Sequence, residues 1–244
     1  MILLPLSPGA RALYTTRSGG VSRPPYAGPD GTGGLNLGGH VGDDPAAVAE
    51  NRARLARRIG AAVEWMDQVH GRDLCVLEEP SGREVAGTAD ALIVGPAMGG
   101  HAPGVLVADC VPLLLATESG SHRAAVHVGR RGLALGVAPA AVEELAARSR
   151  EPVHAAVGPH ICGRCYEVSE ELSHEAGAYG ADGQTRWGTP SIDLLAGIRR
   201  QLDGVPVAEA GLCTLEDERF YSYRREGTTG RCAGIALIGG ADTP

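Results

Sequence analysis

The sequence predicts one α/β domain, of the mixed α+β kind, in which mixed sheets are flanked by helices. Short apolar runs of strand length alternate irregularly with longer segments of helical apolar spacing. No repeat or change of composition divides the 244 residues, so we expect a single domain over 1–244. The apolar runs between 74 and 92 are spaced like a hairpin and lie too close together for parallel crossovers, which indicates mixed rather than purely parallel sheets.

The N-terminal part predicts a strand, a long loop and a helix. A strand is expected around 12–16, and the Gly- and Pro-rich segment 18–42 follows it. A segment of this length without regular structure is usually a functional loop or a disordered one. Asp44 suits the N-cap and Pro45 the first position of a helix, and 47–59 has the matching apolar spacing.

The rest of the chain predicts three further helices and a series of strands. The helices are expected at 138–148, 167–178 and 192–202. The predicted strands are 63–69, 73–77, 91–94, 104–108, 113–116, 123–127, 153–157, 208–212, 220–223 and 233–238.

Composition and charge restrict the expected partners. The formal net charge is −7 and the chain has no basic run, which argues against nucleic-acid polymers and membranes. No apolar stretch reaches the roughly 18 residues that span a bilayer. The first residues, M-I-L-L-P-L-S-P, lack the basic region of a signal peptide, so we expect a cytoplasmic protein. A small molecule is the expected partner, and the assembly is left open between a monomer and a small homo-oligomer.

Three residues far apart in the chain each lie at or near the end of an apolar run. They are His70 in Q-V-H-G, Cys110 in A-D-C-V-P and His127 in A-V-H-V-G. A strand end can hold a side chain over a cleft, and two imidazoles with one thiolate form a zinc set that leaves the fourth tetrahedral position open. Taken singly, each has a plainer interpretation as a turn histidine or a small buried thiol. Together they predict a metal-assisted enzyme that acts on a small polar molecule.

Polar residues beside these three extend the candidate site. Asp109 interrupts the apolar run around Cys110, as residues at functional sites often do. Asp109 is either a proton carrier or a structural hydrogen-bond acceptor at the strand end. Arg130 and Arg131 lie between two glycines after His127, and backbone N–H groups together with guanidinium groups would suit a phosphate there.

The six cysteines are expected to be free, metal-bound or reactive, because a reducing compartment disfavours disulfides. Cys162 and Cys165 form a C-x-x-C pair that follows a predicted strand and opens a predicted helix, which is the context of redox-active dithiols. A zinc ribbon would need a second C-x-x-C, which Cys213 and Cys232 do not supply. We therefore interpret the pair as part of a structural loop, with redox chemistry as the alternative.

A series of short segments forms one ordered set along nearly the whole chain. The segments are T-T-R-S-G-G-V-S at Thr15, L-N-L-G at Leu35, E-N-R at Glu50, Q-V-H-G at Gln68, A-D-A-L at Ala89, A-D-C-V-P at Ala108, A-V-H-V-G-R-R-G at Ala125, G-P-H-I-C-G-R-C-Y-E-V at Gly158 and F-Y-S-Y-R-R-E-G-T-T-G-R at Phe220. This set resembles the laccase-domain family, also called the polyphenol oxidase or multicopper oxidoreductase family, whose members include purine nucleoside phosphorylases.

The resemblance implies a fold, a metal and an activity. The fold would be a compact α/β structure related to the cysteine-hydrolase fold of bacterial deamidating toxins. His70, Cys110 and His127 would hold a zinc ion. Members of the family phosphorolyse adenosine, inosine, guanosine and methylthioadenosine and deaminate adenosine. This chain departs from the usual family pattern at two positions, with Arg130 where a Trp is usual and His160 where a small residue is usual.

The roles of further residues follow from the resemblance and from the chemistry of the two reactions. Deamination needs a water activated by the metal and a proton carrier, for which Asp109 beside Cys110 is the candidate. Phosphorolysis needs positive charge for phosphate and for the leaving purine. Arg52 and Arg17 are the expected groups, and Asn36 would fix a sugar or base edge. Further candidates are Arg131, Arg130 and Arg224.

Three other functions remain open at the level of sequence. A copper oxidase is disfavoured because the chain has eight histidines and no H-x-H pair, although a single His₂Cys copper centre could use Met66 or Met98 as its axial ligand. A thiol amidase acting on a cell-wall precursor, a role proposed for relatives, would use Cys110 as nucleophile and His127 as base. A zinc-stabilised binding module without activity would need a closed site with four ligands.

Overall fold

Two mixed sheets form the centre of the fold in the computed structural model, which describes residues 1–239. The predicted fold class, mixed sheets flanked by helices, is confirmed. The end of the predicted domain, 240–244, lies outside the described residues.

The elements are numbered along the chain. The strands are β1 (Ile2–Ser7), β2 (Ala10–Tyr14), β3 (Ser18–Ser22), β4 (Ala62–Glu64), β5 (Leu74–Leu77), β6 (Ala91–Val94), β7 (His101–Val107), β8 (Val111–Thr117), β9 (Arg123–Val128), β10 (Val153–Val157), β11 (Asp182–Gln184), β12 (Pro190–Ile192), β13 (Val207–Glu209) and β14 (Cys232–Ile238). The helices are α1 (Pro45–Ile59), α2 (Arg130–Leu135), α3 (Val137–Ser149), α4 (Glu170–Ala176), α5 (Leu194–Gln201) and α6 (Tyr223–Glu226).

The six-stranded sheet has the order β13-β10-β8-β9-β6-β5. Strands β6, β8 and β9 are buried along their whole length, which explains why the sequence shows them as continuous apolar runs. In the β8–β9 hairpin, Pro112 pairs with His127. Cys110 immediately precedes β8, so it reaches the same end of the sheet as His127.

The five-stranded sheet, in the order β1-β2-β14-β7-β4, packs against one face of the six-stranded sheet. Alternate residues of a strand point to opposite faces. Leu92 and Leu114 therefore face the five-stranded sheet, where they join the cluster that contains Tyr14. Their neighbours in sequence, including Ile93, face the helical layer.

Helices cover the two outer faces and complete a four-layer arrangement. Leu145 of α3 and Ile198 of α5 pack in the cluster on the outer face of the six-stranded sheet. Leu55 of α1 packs in the cluster on the outer face of the five-stranded sheet. Helix α1 confirms the sequence prediction at its start, because Asp44 accepts a hydrogen bond from the Ala46 N–H as the N-cap.

The pairing expected from the spacing between 74 and 92 is wrong. Strands β5 and β6 run parallel, with Leu74 opposite Ala91. The connection 78–90 contains no helix, but a crossover needs only about a dozen residues to return the chain to the same end of the sheet. The mixed character of the sheet comes instead from β9, which pairs antiparallel with both β6 and β8.

The strand expected at 220–223 is also wrong. This segment is a loop that leads into α6, with Ser222 as its N-cap. Phe220 and Tyr221 are buried within the cluster between the two sheets. Because these loop residues are buried, the segment is as apolar as a strand, and the apolar pattern alone does not distinguish a buried loop from a strand.

Other differences concern the limits of elements. The strand expected at 63–69 shortens to β4, and the helix expected at 167–178 shortens to α4, which begins at Glu170 because Ser169 is its N-cap. The loop 18–42 contains β3, and neither β1 nor the β11–β12 hairpin was predicted. Within residues 1–239, no helix has the length and apolar character needed to cross a membrane.

Candidate active site

His70, Cys110 and His127 converge at one end of the six-stranded sheet. One donor atom from each side chain lies within 4.8 Å of the other two. The Cys110 Sγ lies 3.8 Å from the His70 Nε2, and the two imidazole rings meet edge-on with their centroids 4.6 Å apart. The structure therefore brings together the three residues that the sequence singled out.

Asp90 holds both histidines of this cluster. Its carboxylate is fully buried and its Oδ1 lies 2.7 Å from the His127 Nδ1 and 2.9 Å from the backbone N of His70. The Gly71 N–H donates to Oδ2 at 2.6 Å. Because Nδ1 of His127 is engaged in this way, Nε2 remains as the donor atom for a metal, which is the usual arrangement of a carboxylate behind a metal-binding histidine.

Two residues of the site have backbone conformations that are rare for residues with a side chain. His70 has φ of 58° and Asp109, directly before Cys110, has φ of 102°. Such strain persists only where surrounding contacts fix it, and it concentrates at functional sites. Asp90 fixes the first through the His70 N–H. The Thr214 hydroxyl and the Arg224 N–H fix the second by donating to the Asp109 carboxylate at 2.6 and 2.7 Å.

Gly129 allows the cluster to close. A Cβ at this position would lie 2.8 Å from Cδ2 of His70 and 3.2 Å from Sγ of Cys110. Both distances are shorter than ordinary van der Waals contact, so a larger residue would push the ligand side chains apart. The glycine after V-H-V is therefore needed for space.

The electrostatics of the cluster favour a thiolate. Burial acts to raise the pKa of Cys110, but the neighbouring His127 and His70 bring the pKa down to about 6. Burial acts to lower the pKa of His127, but Cys110 and Asp90 raise the pKa to about 9. The thiolate is the form of cysteine that binds metals and attacks electrophiles.

The donor set fits a zinc ion. In a tetrahedral site with normal bond lengths, a sulfur and an imidazole nitrogen lie about 3.6 Å apart, close to the 3.8 Å between Cys110 and His70. The cluster has three protein donors among the described residues, which leaves one tetrahedral position for water or substrate. Neither Met66 nor Met98, the candidate axial ligands of a copper centre, is among the residues that line the adjoining cavity.

A cavity of about 590 Å³ opens directly onto the cluster. Its volume is in the range of sites for small organic ligands. Arg224 and Arg231 supply positive charge in its wall, and Tyr166 and Tyr223 supply aromatic surface. The Arg224 guanidinium lies over the Tyr166 ring, 5.3 Å from its centroid.

Asp109 lines the cavity, but both of its carboxylate oxygens accept hydrogen bonds from Thr214 and Arg224. The contacts match the role of a structural acceptor that fixes the strand end. Asp109 thereby sets the position of Arg224 in the cavity wall.

The phosphate-binding arginines expected from the resemblance do not line the cavity. Arg17 donates to the Ala27 carbonyl and pairs with Glu226. Arg52 donates to the Leu37 carbonyl at 3.0 Å and packs its guanidinium over the Trp65 ring.

The other two substrate candidates also lie outside the cavity wall. Asn36 is fully buried, and its Oδ1 accepts hydrogen bonds from the N–H groups of Gly38 and Arg231. It therefore positions the backbone of an arginine that does line the cavity. Arg131 is exposed on α2 and does not line the cavity.

Sequence reasoning missed Asp90 and Arg231. Asp90 stands in A-D-A-L, directly before the apolar strand β6, and a carboxylate next to a fully buried strand needs partners. Arg231 ends the last of the ordered segments, immediately before β14. Both signals were visible, but only the tertiary structure shows what the two side chains contact.

The two departures from the family pattern lie outside the cavity wall. Arg130 opens α2. His160 is buried and its Nδ1 lies 2.8 Å from the Gly158 carbonyl oxygen, while burial lowers its pKa. His160 thus has the environment of a neutral structural histidine.

The C-x-x-C pair has the wrong environment for redox chemistry. Burial and the neighbouring Cys213 raise the pKa of Cys162, and burial and Cys162 raise the pKa of Cys165. Reactive dithiols need the opposite, a lowered thiol pKa.

Comparison with known proteins finds relatives that match over nearly the whole chain. A purine nucleoside phosphorylase of Streptomyces griseus is 47% identical over 245 residues, covering 96% of each chain. One of Streptomyces coelicolor is 46% identical over 240 residues, covering 94% of this chain and 96% of the relative.

Solved structures give the same result for the fold. The Neisseria meningitidis protein NMB0706 superposes with a TM-score of 0.81 at 32% identity, covering 98% of this chain and 99% of that one. YlmD from Geobacillus stearothermophilus gives a TM-score of 0.82 at 30% identity, covering 94% and 92%. The model of the multi-copper polyphenol oxidoreductase laccase family matches residues 11–239. With a match over nearly its whole length, the chain belongs to this family.

Proposed function

We propose that this protein is a zinc-dependent purine nucleoside phosphorylase that also deaminates adenosine. The observation that carries the proposal is the cluster of His70, Cys110 and His127, which has three donors and opens onto a cavity. The names of the relatives support an enzyme of this class. A closed four-donor site, as in a passive binding module, would not leave a position for a reactant.

In phosphorolysis, an oxygen of phosphate forms a bond to C1′ of the sugar while the bond between C1′ and N9 of the purine breaks. The bonding electron pair leaves with the purine and is protonated there. Arg224 and Arg231 are the lining cations that we assign to phosphate, since a guanidinium binds an oxyanion through two parallel hydrogen bonds. Tyr166 and Tyr223 offer rings for stacking the base or covering the sugar.

In deamination, a water oxygen forms a bond to C6 of adenosine, a proton of that water passes to the 6-amino group, and the bond between C6 and that nitrogen breaks so that ammonia leaves. When bound, zinc lowers the pKa of water and stabilises developing negative charge on oxygen. His127 is oriented by Asp90 for metal binding, and Asp109 keeps Thr214 and Arg224 in place at the cavity wall. Both reactions would take place in the one cavity beside the cluster of His70, Cys110 and His127, so we expect the two reactions to compete.

The test is a panel of adenosine, inosine, guanosine and methylthioadenosine, assayed with and without phosphate on protein of measured zinc content. We expect free purine and the corresponding sugar 1-phosphate in equal amounts, only when phosphate is present: ribose 1-phosphate from the three nucleosides and 5-methylthioribose 1-phosphate from methylthioadenosine. Adenosine should give inosine without phosphate. Release of free base that is undiminished in phosphate-free buffer would eliminate the phosphorylase.

A thiol hydrolase is the second candidate, and one contact favours it. Cys110 would be the nucleophile, His127 the base and Asp90 the carboxylate that orients the base, which are the three roles of a cysteine-hydrolase triad. This function predicts amide cleavage after complete removal of metal and a covalent adduct of Cys110 with substrate. The zinc enzyme predicts that metal removal abolishes activity.

A further inference from the structure

Two turns with the same pattern of backbone hydrogen bonds lie next to each other beside the cavity. In the first, the N–H groups of Cys165 and Tyr166 both donate to the Cys162 carbonyl at 2.9 Å. In the second, the N–H groups of Glu216 and Asp217 donate to the Cys213 carbonyl at 3.2 and 3.0 Å. The sequence Cys213-Thr214-Leu215-Glu216 is therefore the structural counterpart of the C-x-x-C turn, with a glutamate in place of the second cysteine.

The two turns are fixed against each other by the backbone. His160 and Cys213 form a parallel bridge, in which the Thr214 N–H donates to the His160 carbonyl at 3.0 Å. The Cys162 N–H donates to the Cys213 Sγ at 3.4 Å. This contact holds the Cys213 sulfur in position, as hydrogen bonds to the side chains that bind a metal usually do.

The side chains of the two turns converge on one point. One donor atom each from Cys162, Cys165, Cys213 and Glu216 lies within 4.8 Å of the other three. The Cys165 Sγ lies 3.4 Å from the Glu216 Oε1. A tetrahedral zinc ion with normal bond lengths would set a sulfur and a carboxylate oxygen about 3.5 Å apart and two sulfurs about 3.8 Å apart.

We propose that Cys162, Cys165, Cys213 and Glu216 bind a second zinc ion in a closed site with four protein ligands. Three thiolates and a carboxylate select a borderline-soft cation that prefers tetrahedral geometry, which describes zinc better than magnesium or calcium. Because all four positions are filled by the protein, this site is structural and has no place for substrate.

The surroundings of the four ligands suit a zinc ion bound by three thiolates and one carboxylate. Cys165 and Cys213 are buried in a small apolar cluster with Ile161, while Glu216 reaches the surface. Three thiolates and one carboxylate leave an excess of negative charge around a divalent cation. Arg186 offsets part of it through an ion pair with Glu216, Nη1 to Oε1 2.6 Å.

The second site would stabilise one wall of the cavity. The Ile161 N–H, next to Cys162, donates to the Asp109 carbonyl at 2.9 Å. Thr214, next to Cys213, donates to the Asp109 carboxylate. We call the cluster of His70, Cys110 and His127 the open cluster. It shares no ligand with the second site, so the inference stands whether or not the open cluster is catalytic.

The decisive experiment counts and describes the zinc of the full chain. We expect two zinc ions per wild-type chain by elemental mass spectrometry and one in Cys110→Ala. X-ray absorption at the zinc edge of Cys110→Ala should then show three sulfurs and one oxygen around the remaining ion. A Cys110→Ala protein without zinc, or a nitrogen-rich spectrum from its remaining ion, would overturn the proposal, whereas a wild type with one zinc in a sulfur-rich site would contradict only the zinc at His70, Cys110 and His127.

Variants of the second cluster give the complementary result. Cys213→Ser keeps an acceptor for the Cys162 N–H, and Glu216→Gln keeps the shape of the side chain. Each should lose one zinc ion, while Cys75→Ser, a half-buried cysteine outside both clusters, should keep both. If Cys213→Ser does not fold, the absorption spectrum of Cys110→Ala still decides. A disulfide between Cys162 and Cys165 in protein purified without reductant and with full zinc loading would also refute the site.

Discussion

At the scale of single residues, Asp90 is the side chain on which the open cluster depends most. It accepts hydrogen bonds from the ring of His127 and from the backbone N–H groups of the strained His70 and of its neighbours Val69 and Gly71. A single buried carboxylate therefore sets the orientation of two of the three candidate ligands, which explains why two histidines far apart in sequence reach the same point.

We expect Asp90→Asn to lower zinc affinity at the open site by about 10- to 100-fold, because His127 loses its charged partner and its fixed tautomer. Competition with a chromophoric chelator measures the change, and circular dichroism checks that the protein is folded. The control is Asp73→Asn, the same substitution at an exposed aspartate nearby. Equal affinities of Asp90→Asn and wild type would contradict the positioning role.

Gly129→Ala tests the space requirement of the cluster. The added methyl would meet the His70 ring and the Cys110 sulfur, so we expect reduced zinc binding in a protein that remains folded. Gly99→Ala is the matched control, because a Cβ there meets no atom within 4 Å. Normal zinc content in Gly129→Ala would mean that the ligands can move apart without loss.

Arg231→Ala and Arg52→Ala distinguish the structure-based from the resemblance-based assignment of phosphate binding. Arg231 lines the cavity whereas Arg52 does not. Loss of a charged hydrogen bond of about 1.5–3 kcal/mol predicts a rise in the KM for phosphate of roughly 10- to 100-fold in Arg231→Ala. Steady-state kinetics over phosphate concentration measure it, and a larger effect of Arg52→Ala would restore the original assignment.

At the scale of elements, the β8–β9 hairpin and the turn that precedes it bring Cys110 and His127 together. In this hairpin, Pro112 lies opposite His127. The positive φ of Asp109 turns the chain just before β8, where Cys110 lies. Helix α1, on the far face of the other sheet, contributes to stability through Leu55.

Asp44→Ala separates stability from activity. Loss of the N-cap hydrogen bond to Ala46 should lower the free energy of unfolding by about 1 kcal/mol, measured by urea denaturation. Zinc content and turnover per folded molecule should be unchanged, as in the control Asp203→Ala at an exposed turn. Loss of zinc in Asp44→Ala would show that α1 is coupled to the site.

At the scale of the whole molecule, two large apolar clusters form the core, one between the two sheets and one between the six-stranded sheet and its helices. Of the three candidate metal ligands, only Cys110 touches either of them, at the edge of the cluster between the sheets. The core can therefore fold without the open-site metal. We expect mild chelation to abolish phosphorolysis while the far-ultraviolet circular dichroism spectrum stays the same, and added zinc to restore activity. Unfolding on mild chelation would contradict this separation.

Sequence alone was sufficient for the fold class, for most strands of the six-stranded sheet and for the three ligand candidates. Strands buried on both faces leave continuous apolar runs, and polar residues at their ends stand out against them. It was not sufficient for the parallel pairing of β5 with β6, because spacing does not determine the path of a connection. It also mistook the buried loop at Phe220 for a strand.

The sequence by itself determined that two histidines and one cysteine lie at or near the ends of apolar runs. Only the tertiary structure decided that Asp90 holds both histidines and that Arg231 rather than Arg52 faces the cavity. It also decided that Cys213 and Glu216 lie beside the two cysteines of the C-x-x-C turn. The physical reason is that these contacts join residues far apart in the chain. Local propensity and periodicity carry information about neighbours in sequence, whereas a ligand set is a property of neighbours in space.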